Sequence, residues 1–477
     1  MRIPSNRIDR KAKDRVPEEK ISQLINLLRS GNADEVITKA KQFIKFFPKD
    51  PQILQIQGGA HAALNQLDAA ITCFKKALKY DQKSADIHYN IGLALQKKGD
   101  ISAAVDSYSR SIRLNPNHFK ALNNLANLYA EQGDVSDAVG VYIKVIEIEP
   151  NYAQAHNNLG NAFKEQGDLI KARESYNRAL EIDSGFAEAR YNMGIILQEL
   201  GRYSESLRCF EEAAQLYPSS SAGIVRSKSF ALKNFLALGE ADRFCSNLDE
   251  MVRGGYNDAL IGAMCAIAYL KFGVHIKNPF CEHPLNYVEE KSLLGQCDFS
   301  SIFLEPAKKI INEILVSNKK QDLVQNGVQT SGNLFADNNY FSPRAQQIIE
   351  LELGKYKEKL TGKSDGFLLN WPSRFSLTAW LVSYNSGGSI LPHIHENGWV
   401  SGSIYINVPK QSDSESGNLV VSLDDSPYEA SQKGDSKRVI EVKTGSLCLF
   451  PASLYHSTLP FESCEQRIVL AFDVNPI

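Results

Sequence analysis

A period of 34 residues runs through the first half of the chain. Gly99, Gly133, Gly167 and Gly201 stand 34 apart. Gly92, Ala126, Gly160 and Gly194 keep the same step, as do Ala70, Ala104, Ala138 and Ala172. Aromatic residues follow in register at Phe74, Tyr108, Tyr142, Tyr176 and Phe210. Pro116, Pro150 and Pro218 mark unit ends, and Pro48 falls in the same frame. A period of this length is one supersecondary unit that cannot bury its apolar face alone, so successive copies must stack. Each row has a physical reason. The small residue lets two antiparallel helices approach closely. The glycine seven positions later can take a positive φ and reverse the chain. The alanine and the aromatic lie one helical turn apart on a buried face.

These features resemble the tetratricopeptide repeat. Five clear copies run from Pro51 to Ser220, preceded by a weaker one with Gly31 and Pro48. The repeat domain is assigned to residues 17–220, after a basic tail at 1–16. Such arrays form an α-solenoid with a concave face that binds a protein or peptide. One row on the first helix of each unit is polar: Asn90, Asn124, Asn158 and Asn192. A side-chain amide carries donors and an acceptor that match a peptide group. The row resembles the asparagine ladder of O-linked N-acetylglucosamine transferases, which implies a peptide-binding role. The alternative is a duplicated residue that hydrogen-bonds between neighbouring repeats.

Composition narrows the partners. Lys+Arg total 53 against 55 for Asp+Glu, so bulk charge favours neither nucleic acid nor an anionic membrane. No run of about 18 apolar residues suggests a membrane span. The basic first residues are not followed by an apolar stretch of signal-peptide type. The 8 cysteines show no C-x-x-C spacing, and a reducing, cytoplasmic location is expected.

The 34-residue register fades after residue 220. Residues 221–320 are expected to be a helical cap and linker, with helices over 301–318 and 343–361 flanking the next boundary. The segment HIKNPFCEHPLN has His275 and His283 but no paired metal spacing. After Phe367 the apolar period becomes two, in SLTAWLVSY, VSGSIYINV, NLVVSL, RVIEVK, SLCLF and RIVLAFDV. Short strands between Gly, Ser, Asn and Pro turns predict an antiparallel barrel or jelly roll, assigned to 321–477.

This domain holds His393, His395 and His456. The first two are two apart, so on a strand they point the same way. With His456 at a predicted barrel rim, a facial metal site is possible. Arg467 opens the last strand, and a guanidinium buried there needs an anion, which a carboxylate fits bidentately. GVQTSGNLF, HIHENGWVSGSIYINVP, SGNL, TGSLCLFPASLYH and RIVLAFDV together resemble the 2-oxoglutarate/Fe(II) oxygenase family of bacteria and phages. The resemblance implies a double-stranded β-helix, iron at His393, His395 and His456, and 2-oxoglutarate held by Arg467 with help from Tyr405. The wider superfamily has H-x-D/E…H, whereas here the acid position is His395. Three imidazoles, a contribution from Glu396, or a shifted register are the alternatives; strand alternation favours His395. Trp371, Trp380 and Trp399 are candidates for pocket lining or for core. The polar loops 410–418 and 424–438 are candidate lids or plain hairpin loops. The expected function is hydroxylation of a protein or peptide brought by the repeats. The rivals are a scaffold with a degenerate barrel, and a small-molecule oxygenase whose repeats serve assembly.

Overall fold

The structure is a computed structural model that describes residues 15–219, 221–314, 323–330, 332–335, 340–410, 416–426 and 435–477. By contact density the chain divides into two compact units, residues 1–201 and 202–477.

The first unit is a stack of antiparallel helix pairs, from Glu18–Arg29 to Ala187–Glu199. Local sequence sets the helix ends. Ser84 accepts a hydrogen bond from the Ile87 amide at the start of helix Ala85–Lys98, a cap worth about 0.5–2 kcal/mol. Gly99 ends that helix at φ 88°, a conformation costly for any residue with a Cβ. The small-residue and aromatic rows prove to be two halves of one contact. A Cβ on Gly92 would lie 2.5 Å from the Tyr108 ring, and one on Gly160 would lie 2.6 Å from Tyr176. Each ring covers the facing backbone, and burying it contributes about 1.5–3 kcal/mol. The phenol ends are satisfied: Tyr142 donates to Asn127 Oδ1 at 2.6 Å and Tyr176 to Asn161 Oδ1 at 2.7 Å.

The second unit opens with helices Tyr203–Leu216, Ala222–Leu238, Ala241–Arg253 and Ala259–Phe272. The helix expected over 301–318 is a π turn, Ser300–Leu304, continuing as helix Glu305–Ile314; its last residues lie outside the described ones. The other expected helix spans Pro343–Lys359.

A jelly-roll sheet follows. Its strands are β1 (Glu289–Ser292), β2 (Val324–Gln329), β3 (Phe375–His393), β4 (Val400–Asn407), β5 (Leu419–Ser422), β6 (Lys437–Ile440), β7 (Ser446–Pro451), β8 (Tyr455–Thr458) and β9 (Arg467–Pro476). The hydrogen-bonded order is β1-β7-β4-β9-β3-β8-β5-β6, with β2 also on β3. The antiparallel pairing and the period-two expectation agree. β1 was not foreseen; EEKS has no apolar alternation to reveal it.

The 19-residue β3 belongs to both halves of the roll. Its first part pairs with β9, and Ile390 and His393 pair with β8. Gly387, at φ 75°, lies between the two pairings. One face of the sheet, with Leu381, Ile404, Leu449 and Phe472, packs against the helical core of Ala345, Ile349 and Phe367. The opposite face, with Val382, Val421, Phe450 and Val469, closes the interior of the roll. The candidate site lies on that interior face.

Candidate metal centre

His393 ends β3 and His456 lies on β8, directly opposite each other in register. His395 follows two residues after the strand. Ring centroids of His393 and His456 are 4.2 Å apart, those of His395 and His456 4.8 Å, and those of His393 and His395 5.1 Å. One ring nitrogen from each lies within 4.8 Å of the others. The Nδ1 side of each ring is already engaged: His393 with the Leu391 carbonyl at 2.8 Å, His395 with Asp473 at 2.6 Å, and His456 with the Leu454 carbonyl at 3.4 Å. With the Nδ1 sides so engaged, Nε2 of each ring is the nitrogen whose lone pair could face a metal. Burial, and secondarily the neighbouring His395, pushes His393 down to about 4. Burial holds His456 far below its usual value. Both are therefore neutral near pH 7, the form that binds metal.

Glu396, weighed as a carboxylate ligand, instead forms an ion pair with Lys233 of helix Ala222–Leu238. Asp473 was missed. Arg467 and Asp473 are an even number of positions apart on β9, so alternation places both on one face, but the pairing of Asp473 with His395 is not contained in that spacing. Among the described residues, the three histidines are the one cluster of His, Cys, Asp or Glu with metal-ligand proximity. His275 pairs with Glu282 at 3.1 Å.

Arg467 is fully buried. It donates to the Gly417 carbonyl and lies over the Tyr405 ring, 5.1 Å from its centroid. Among the described residues its Nε and Nη2 meet no acceptor. A buried guanidinium with two undirected donors fits an anion, and a carboxylate most closely. Tyr384, opposite Arg467 in register, was also missed. Burial pushes its phenol up to about 12, so it stays a neutral donor.

Of the tryptophans, Trp399 is core: it donates to the Phe367 carbonyl at 2.9 Å and stacks on that ring. Trp371 packs on Tyr356 and Phe367. Trp380 alone flanks the site, edge-on to His395 at 5.2 Å. Most of loops 410–418 and 424–438 lies outside the described residues.

In the first unit, the asparagine row sits on the first helices as expected, and the amides of Asn124, Asn158 and Asn192 turn toward the preceding repeat. Asn192 Nδ2 donates to Asn157 at 3.0 Å and Asn161 at 3.1 Å. Asn158 Nδ2 donates to Asn127 at 2.9 Å and Asn123 at 3.3 Å, while its Oδ1 accepts from Gln154 at 3.0 Å. Asn124 reaches the Tyr108 hydroxyl at 3.4 Å. Asn90 is half-buried. At Asn158 the amide is buried with both ends used, which favours the bridging alternative there. Asn127, Glu131, Asn158 and Asn161 line a groove of about 330 Å³.

The family model described as "Putative 2OG-Fe(II) oxygenase" matches residues 378–473. Tetratricopeptide-repeat models match 58–99, 85–118, 107–140, 126–167, 160–201 and 187–220. The chain joins tetratricopeptide repeats to a 2OG-Fe(II) oxygenase family domain. All three histidines, Tyr405, Arg467 and Asp473 fall inside the oxygenase match. No curated protein matches the chain. Similar solved structures include PilF of Pseudomonas aeruginosa, at 17% identity over 46% of this chain and 93% of that one, TM-score 0.38. A thermophilic TPR protein of Thermus thermophilus is 23% identical over 38% and 99%, TM-score 0.34. YrrB, described as a TPR protein with an unusual peptide-binding site, is 20% identical over 40% and 97%, TM-score 0.32. No helix of the described residues is long and apolar enough to cross a membrane.

Proposed function

We propose that the protein is an Fe(II)- and 2-oxoglutarate-dependent oxygenase that hydroxylates a protein or peptide recruited by its repeats. The observation that carries this reading is the pairing of two unsatisfied poles inside one roll. Three imidazoles with ring nitrogens within 4.8 Å of one another stand at one pole. The buried Arg467, with two donors lacking acceptors among the described residues, stands at the other.

In this reading His393, His395 and His456 hold Fe(II) on one face. When bound, iron and 2-oxoglutarate supply the oxidising chemistry, consuming dioxygen and releasing succinate and carbon dioxide. Arg467 holds the distal carboxylate of the cosubstrate. The Tyr405 ring packs against the guanidinium, and the Tyr384 phenol keeps its proton on the strand opposite. The apolar walls at Val382, Phe450 and Val469 exclude water between the poles. Trp380 shields the outer edge of His395.

The repeats serve recruitment, holding a polypeptide near the roll and raising its local concentration. The amide- and carboxylate-lined groove supports this role. The asparagine row itself is better supported as a set of inter-repeat bridges. A cytoplasmic location is supported by the eight cysteines, all unpaired.

The test is anaerobic titration with Fe(II) and 2-oxoglutarate, followed by succinate measurement in oxygen. Binding of both with succinate formation is expected. Binding of neither would favour a scaffold with an inert barrel. Turnover on small molecules but on no captured polypeptide would favour the small-molecule reading.

A further inference from the structure

Superfamily sites with H-x-D/E place one carboxylate directly on the metal, whereas His395 occupies that position here. The missing charge is found one ring away. Asp473 Oδ1 lies 2.6 Å from His395 Nδ1. The Ser401 hydroxyl donates to the same oxygen at 2.8 Å. Asp473 is buried on β9 and faces Ser401 of β4 in register, so two strands fix its position. The short turn that closes with Gly398 N–H on the His395 carbonyl, at 3.0 Å, holds the ring against it.

We infer that Asp473 is a positioning residue for the metal: it accepts the Nδ1 proton of His395, fixes that tautomer, and supplies behind the imidazole the negative charge that a ligand carboxylate would supply in front. This rests on the metal-binding reading above. The chemistry is general. A carboxylate on the far nitrogen of a ligating imidazole orients the ring and raises its donor strength, and its loss costs 10- to 100-fold in metal affinity. Ser401 holds the carboxylate so that it cannot swing toward the metal. Sequence spacing alone could not give the pair, because His395 and Asp473 are 78 residues apart and meet only in the folded sheet.

The test is a double-mutant cycle in the full chain, with Fe(II) alone as probe under anaerobic conditions. Asp473→Asn keeps the shape and removes the charge. It is expected to weaken Fe(II) binding about 10- to 100-fold and to raise the Fe(III)/Fe(II) midpoint potential. In the His395→Ala background the same substitution should change affinity by less than about twofold, because the ring through which Asp473 acts is gone. Equal losses in the two backgrounds would assign Asp473 a structural role only and overturn the inference. No loss in the wild-type background would overturn it too. If Asp473→Asn melts at assay temperature, Asp473→Ala runs the same cycle. Failure of the wild-type chain to bind Fe(II) would remove the metal reading and this inference with it. Wild-type binding combined with an inert Asp473→Asn removes this inference alone.

Discussion

Arg467 poses an energetic problem that its neighbours do not solve. A fully buried guanidinium retains its charge, yet its Nε and Nη2 meet no acceptor among the described residues. Leaving such donors unpaired costs free energy, so the side chain is costly to the fold unless an anion arrives. Arg467→Met should therefore leave the ligand-free chain as stable as wild type or more so. It should raise the 2-oxoglutarate concentration needed for half-maximal succinate formation about 10- to 100-fold, the equivalent of about 1.5–3 kcal/mol for a charged hydrogen bond. Fe(II) affinity, titrated in the same preparation, should barely change. An unaltered requirement would remove Arg467 from cosubstrate binding. The residues that could be found from sequence were those with their own chemistry: His393, His395, His456 and Arg467. Tyr384 and Asp473 were hidden because their roles come from cross-strand partners, and register is a tertiary fact. Glu396 looked like a possible ligand until Lys233, 163 residues away, was seen to claim it.

At the scale of helices, the repeat lock is a shape constraint with a measurable cost. Gly160 lies under Tyr176 with no room for a Cβ, at 2.6 Å. Gly160→Ala should lower stability by about 1–3 kcal/mol through overpacking. The low end is expected, because Ala126 fills the equivalent place beside Tyr142 in the next repeat up. Thermal melting of the full chain, followed by circular dichroism, checks it; an unshifted helical transition would show that the stack yields more easily than the geometry suggests. The asparagine bridges make a second forecast. Asn→Ala at 90, 124, 158 and 192 together gains helix propensity, about 0.5–0.7 kcal/mol per site. It loses inter-repeat hydrogen bonds of about 0.5–1.5 kcal/mol each, and strands buried partners such as Asn123 and Asn157. Earlier melting is expected, with partner capture falling only as far as the fold does. A variant that melts unchanged but loses its partner would restore the peptide-gripping role. The helices themselves were legible because a 34-residue period exposes each structural position several times. The short strand β1 and the π turn before Glu305 appear once each, carry no period, and were not.

For the whole molecule, the two compact units predict separable tasks. A fragment spanning 202–477 should keep Fe(II) and 2-oxoglutarate affinity within about threefold of the full chain, since compact units carry their own cores. It should turn over a captured polypeptide far more slowly, because recruitment through effective concentration is lost. Side-by-side titration and turnover assays separate the two effects, and a fragment that fails to bind Fe(II) would show that the site depends on residues before 202.

Tyr384 and His393 belong to one strand, and each faces its partner across the sheet: Tyr384 faces Arg467, and His393 faces His456. Under the proposed reading, a single run of backbone therefore works as a caliper, with one jaw beside the anion-binding Arg467 and the other at the metal-binding histidines. Calipers measure length. On that reading the five-carbon 2-oxoglutarate should support succinate formation, and its four-carbon and six-carbon homologues should bind more weakly in a competition assay. Tyr384 and His393 are an odd number of positions apart, which on a regular strand would set them on opposite faces. They share the interior because the register of β3 shifts between them, around Gly387 at φ 75°, so the irregular stretch and not the pleat aims both ends of the site inward.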